Sequence, residues 1–131
     1  MDRPDSAMKE QRFSESLTNA IKGVGHTWRT ERNFRIHSAA VVLVLIIAVT
    51  AKLQPLEWAM LFFAITLVLV CELVNTAIEN AVDLFMQDFH PLAQVAKDVA
   101  AGAVLVASVN AVIVGLFIFR RFIWQVLTKL M

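Results

Sequence analysis

The feature that most restricts the fold lies mid-chain, where a run over residues 60–70, apolar but for Thr66, passes straight into residues 71–83, CELVNTAIENAVD. Read as one helix at about 100° per residue, Glu72, Asn75, Glu79 and Asp83 fall on a single narrow stripe. Carboxylates and an amide on one face, continuing a hydrocarbon-like run, are costly unless a cation, a metal ion or water compensates them. On a soluble helix the same charges would simply be a solvated face, and the preceding run argues against that. The stripe reads as a functional site at the edge of a membrane.

Composition agrees. Of 131 residues, 58% are hydrophobic and 18% charged, and mean hydropathy is +0.65. These values suit a membrane protein of one domain, residues 1–131, better than a soluble globule. The first thirty residues are polar and hold no apolar core of a signal peptide. A single cysteine, Cys71, excludes an intrachain disulfide and a cysteine-based metal cluster, and reads as a small buried residue. A net charge of +1 gives no reason to expect nucleic acid as a partner.

Residues 1–11 are polar and mixed in charge, and are expected to fray. Over 12–33, Phe13, Leu17, Ile21, Val24 and Trp28 recur at helical spacing, opposite Arg12, Glu15, Asn19, Lys22 and His26. A basic amphipathic helix with a tryptophan at one end fits a segment lying in the membrane interface. Three spans follow, at 34–53, 56–84 and 95–119. Residues 52–55 break the first, and Pro55 suits the start of the second. Residues 87–91 form a loop. The third span is rich in small residues such as Ala100, Gly102, Ala107 and Gly115, which permit close helix approach. The tail at 120–131 is basic and amphipathic and is expected at an interface. Trp28, Trp58 and Trp124 read as interface anchors, and His26 and His37 as interfacial residues. Asp83 can mark the point where the second span leaves the membrane. His90 reads equally as a turn or cap residue, and Glu57, at the far end, needs no function.

Seven Lys and Arg precede the first apolar run (Arg3, Lys9, Arg12, Lys22, Arg29, Arg32, Arg35), and Lys52 alone stands where the first span turns to the second. The positive-inside rule then puts the N-terminus in the cytoplasm. Three spans leave the 85–96 loop inside and the C-terminus outside, although Arg120, Arg121 and Lys129 oppose that placement. On this topology Glu31, Glu72, Glu79, Asp83, His90, Lys97 and Asp98 gather near the cytoplasmic surface of the membrane.

Carboxylates converging with a lysine at such a surface suggest metal-assisted chemistry on a phosphate. Magnesium favours one or two carboxylates plus phosphate oxygens, a pair that Glu31 and Glu79 can supply. Lys97 can neutralise a phosphoryl group in transfer, and a remaining carboxylate can take a hydroxyl proton. No Gly-x-x-x-x-Gly-Lys motif is present. The rival class is a non-enzymatic module, a small proton-coupled channel or assembly subunit built on the acidic stripe. Glu31 and the Lys97–Asp98 pair, placed at one surface and not along a pore, disfavour it.

Residues 30–37 (TERNFRIH), 72–79 (ELVNTAIE) with Val82 and Asp83, 90–93 (HPLA) and 96–98 (AKD) closely resemble the small bacterial diacylglycerol kinase/undecaprenol kinase family. The resemblance runs from about Arg12 to Phe119. It implies an all-α membrane protein with three transmembrane helices and an N-terminal amphipathic surface helix, assembled as a homotrimeric bundle with shared active sites. It also implies transfer of the γ-phosphate of ATP, with Mg2+, to a membrane lipid alcohol. By position, Glu72 matches the family's general base and Asn75 the polar residue beside it. Glu31 and Glu79 match its metal-nucleotide carboxylates. Arg12, Asp88, Phe89, His90, Lys97 and Asp98 match nucleotide contacts. Asn19, also on the nucleotide side, stands where some members carry an aromatic residue. His37 stands where diacylglycerol-using members are acidic. With the ERNF and AAGA wording at 31–34 and 100–103, that points to undecaprenol as acceptor, with diacylglycerol as the alternative.

Overall fold

The computed structural model describes residues 4–85 and 90–130. Four helices follow one another: α1 (Pro4–Thr30), α2 (Arg32–Ala51), α3 (Pro55–Phe85) and α4 (Pro91–Leu130). Of these, α2, α3 and α4 are long and apolar enough to cross a membrane. The architecture is all-α, with three membrane-spanning helices and an N-terminal helix.

Each break has a local cause. Glu31 is extended (φ −94°, ψ 117°) and separates α1 from α2. Across that break Arg35 reaches back, its Nη1 donating to the carbonyls of Trp28 (3.3 Å) and Arg29 (3.0 Å) at the end of α1. Trp28 packs edge-on against Phe34, centroids 6.2 Å apart, fixing the corner. Lys52 is left-handed (φ 52°) and ends α2. Gln54 then caps α3: Pro55 takes the first helical position and the Glu57 carboxylate accepts from the Gln54 amide at 2.8 Å. Glu57 therefore has a structural task that sequence reading did not assign. At the start of α4, the His90 ring Nδ1 accepts from the Leu92 amide (3.2 Å), and its carbonyl accepts from Ala93 and Gln94. His90 is a cap.

These breaks shift the expected boundaries. The first helix begins at Pro4, not at 12, because proline pre-organises a first turn; it ends at Thr30, not 33. The third span and the basic tail are one helix, since nothing between 119 and 130 breaks the helical pattern. Residues 86–89, most of the expected loop, lie outside the described residues.

The packing is that of a lipid-embedded chain. Buried hydrophobic residues are few and mostly small, while Val42, Leu43, Ile46, Phe63, Val106 and Phe117 are exposed. Such faces are stable against hydrocarbon or neighbouring subunits, not against water. The firmest contact is α3 against α4, and Ala64 and Val68 of α3 and Ala100 and Ala107 of α4 are buried. Added methyl groups at Gly102 or Gly115 would meet open space, so those glycines are not points of close approach within the chain. A core of Ala48, Leu61 and Ile118 closes the Pro55 end. Along α1 every described side chain from Arg12 to His26 is exposed and Thr27 alone is buried, leaving the Phe13–Leu17–Ile21–Val24 stripe bare. That is the arrangement of an interfacial helix.

Length fixes depth. At about 1.5 Å per residue α3 spans about 46 Å, against a hydrocarbon core of about 30 Å. With Pro55 near one interface, the core ends close to Asn75. Glu72 is then just inside it, and Glu79 and Asp83 emerge beyond.

Candidate active site

The site is assembled on that emerging half of α3. Glu72, Asn75 and Thr76 are buried there, at 2%, 8% and 3% exposure, an unusual concentration of polar burial on one turn. Thr76 is satisfied locally, its hydroxyl donating to the Glu72 carbonyl at 3.0 Å. The other two are not. Glu72 Oε1 and Asn75 Oδ1 are buried without a hydrogen-bond partner. Buried acceptors of this kind call for an explanation, often a ligand or ion.

The Asn75 amide donates to Glu79 Oε1 at 3.0 Å. It orients Glu79, one turn outward, rather than Glu72; from i to i+4 the side chains lie directly above one another. Glu79 is half-buried. Glu31, at the α1–α2 break, is also half-buried, and its side chain makes no capping bond. Both carboxylates lie within electrostatic range of Glu72, as does His37. The break at Glu31 thus brings a third carboxylate to the α3 stripe.

What sequence reading missed is the contact that His37 makes. Read as interfacial, the residue instead places Nε2 3.1 Å from Glu72 Oε1. The approach is close without being an aligned hydrogen bond, which is why that oxygen remains unpaired. The signal available in sequence was slight, since His37 and Glu72 are separated by a whole helical hairpin.

At the surface end, Lys97 Nζ pairs with Asp83 Oδ1 at 2.5 Å, tying α4 to α3 one turn beyond Glu79. Asp98 accepts from the Gln94 amide at 2.8 Å and is exposed. Lys97 and Asp98 thus stand at the expected surface. Arg12 and Asn19 do not join them within one chain: they lie about 27 and 16 Å along α1 from Thr30 at about 1.5 Å per residue. Asp88 and Phe89 lie outside the described residues. Among the described residues no three His, Cys, Asp or Glu side chains converge as a ligand set. Any metal here would need oxygen atoms from elsewhere.

A profile of prokaryotic diacylglycerol kinases matches residues 18–119. The chain belongs to the prokaryotic diacylglycerol kinase family. It is 46% identical over 119 residues to the undecaprenol kinase of Bacillus subtilis, covering 91% of this chain and 97% of that one. A diacylglycerol kinase of Synechocystis is also 46% identical, over 101 residues, 76% of this chain and 58% of that protein. The diacylglycerol kinase of Escherichia coli is 34% identical over 104 residues, 74% and 85% of the two chains. The family and its lipid kinase activity, expected from the motifs, are thereby borne out. This kinase is a multi-pass membrane protein, and kinase chemistry supplies ATP as its co-substrate.

Proposed function

We propose that the chain transfers the γ-phosphate of ATP to the hydroxyl of undecaprenol at the cytoplasmic face of the bacterial plasma membrane. The observation that carries this is the Glu72 carboxylate, buried with an unpaired oxygen just inside the hydrocarbon boundary, about two turns below the surface carboxylate Glu79. A lipid hydroxyl arrives at the first depth and a nucleotide at the second.

Glu72 accepts the proton as the acceptor oxygen attacks the γ-phosphorus and the bond to ADP breaks. Glu31 and Glu79 would hold magnesium. The fit rests on two half-buried carboxylates, one without a capping bond and one oriented by Asn75, which matches magnesium's taste for one or two carboxylates plus phosphate. Magnesium supplies charge neutralisation at the phosphates. Lys97, held by Asp83, adds positive charge beside the transferring group. His90 and Asp98 border the nucleotide, a role that the family resemblance extends to Asp88 and Phe89. Arg12 and Asn19 serve a nucleotide only if sites are shared between subunits, which the bare apolar faces of α2 to α4 favour in a homotrimer.

Undecaprenol is preferred because the undecaprenol kinase relative matches along almost its entire length, whereas the equally identical diacylglycerol kinase matches over 58% of its own. The diacylglycerol relatives keep diacylglycerol as the second reading. The test is turnover of the purified protein with labelled ATP on matched undecaprenol and diacylglycerol. We expect at least about tenfold preference for undecaprenol, about 1.4 kcal/mol of discrimination. Preference for diacylglycerol reverses the acceptor; no transfer to any lipid alcohol removes the kinase reading and returns the channel alternative.

A further inference from the structure

Beyond the stripe itself, the three spans enclose an apolar groove of about 300 Å³, lined by Ala40 and Val44 of α2, Ala64 of α3, and Ser108 and Gly115 of α4. His37 is the groove's titratable lining residue among those described, and its Nε2 is the atom 3.1 Å from Glu72 Oε1. The two partners differ sharply in exposure, 29% for the His37 side chain and 3% for that of Glu72. The imidazole therefore stands between an apolar channel and the buried carboxylate.

We propose that His37 is a positioning residue of the kinase: its Nε2–H holds Glu72 Oε1, so that Oε2 is turned to the acceptor hydroxyl. This rests on the reading of Glu72 as the base. An unpaired buried carboxylate oxygen is costly, and one free to rotate presents its basic lone pair in the right direction only part of the time. The other charged groups around Glu72 are Glu31, from the α1–α2 break, and Glu79, from its own helix; both are carboxylates and repel it. The α4 wall of the groove offers Ser108, Ala111 and Gly115, none of them charged. His37 is thus the donor placed to fix the base. The close but unaligned approach in the free chain is the state expected before substrate tightens a catalytic contact. The proton itself follows the route already given, from acceptor hydroxyl to Glu72, with the phosphoryl group leaving ADP for the acceptor oxygen.

The experiment compares H37F, H37A and H37Q in the full-length protein in mixed micelles, with undecaprenol as acceptor. Phenylalanine keeps the ring's bulk without a donor; glutamine puts an amide N–H near the position of Nε2. We expect H37F and H37A to lower kcat about tenfold or more while KM for ATP stays within about twofold, and H37Q to recover to within about threefold of wild type. Unchanged ATP KM certifies the fold of each variant. Wild-type kcat in H37F, loss in H37Q equal to that in H37F, or KM for ATP rising in step with the loss of kcat would each overturn the assignment. Turnover of the unsubstituted protein in the same assay tests the kinase reading separately.

Discussion

The two ends of α3 are built on opposite rules. At the Pro55 end, Ala48, Leu61 and Ile118 are buried together, Trp58 stacks on Phe62 at 5.6 Å, and the Gln54 amide is answered by Glu57. At the Phe85 end the same helix buries Glu72 and Asn75 and leaves an oxygen of each unpaired. Each unpaired buried acceptor costs about 1–3 kcal/mol. One end is organised for stability. The other gives up stability to keep acceptors poised, Glu72 Oε1 beside but not aligned with His37 Nε2, as functional sites do.

The contrast can be broken by exchanging the consequences of mutation at the two ends. The largest effect is expected at Glu72. Glu72→Gln is nearly isosteric and should lower phosphoryl transfer by about 10²- to 10⁴-fold, the usual loss for a general base, with thermal stability in micelles unchanged or raised. If the variant keeps more than about a tenth of the rate, Glu72 is structural and Asp83 or Asp98 must be examined as the base. Next comes Ile118→Ala, which should cost about 2–5 kcal/mol of stability through cavity formation while turnover per folded molecule holds. Smallest is Glu57→Ala, worth about 1 kcal/mol as a lost cap, with no effect on KM or kcat. A rate defect in either variant at unchanged stability would mean that the two ends are not separable.

The stripe was legible because helical periodicity is local: residues three and four apart on a helix share a face whatever the tertiary structure. The spans were legible for the same reason, through length and hydropathy. What escaped was set by backbone conformation or by packing. The break at Glu31 carries neither glycine nor proline, so its exact place escaped and the boundary was expected at 33–34. Asn75 has acidic neighbours at i−3 and i+4, and only rotamer choice decides that it serves Glu79. His37 meets Glu72 because α2 folds back on α3, a contact that no local pattern encodes.

The central claim is a division of labour along one helix face, with Glu72 at lipid depth for proton transfer and Glu79 about 10 Å outward, at about 1.5 Å per residue, for magnesium and nucleotide. It is tested most directly by measuring Mg-ATP affinity beside turnover in Glu72→Gln and Glu79→Gln. The account predicts that Glu72→Gln loses turnover yet binds Mg-ATP as the unsubstituted protein does, whereas Glu79→Gln loses both. Equal loss of nucleotide affinity in the two variants, or full affinity in Glu79→Gln, would contradict it.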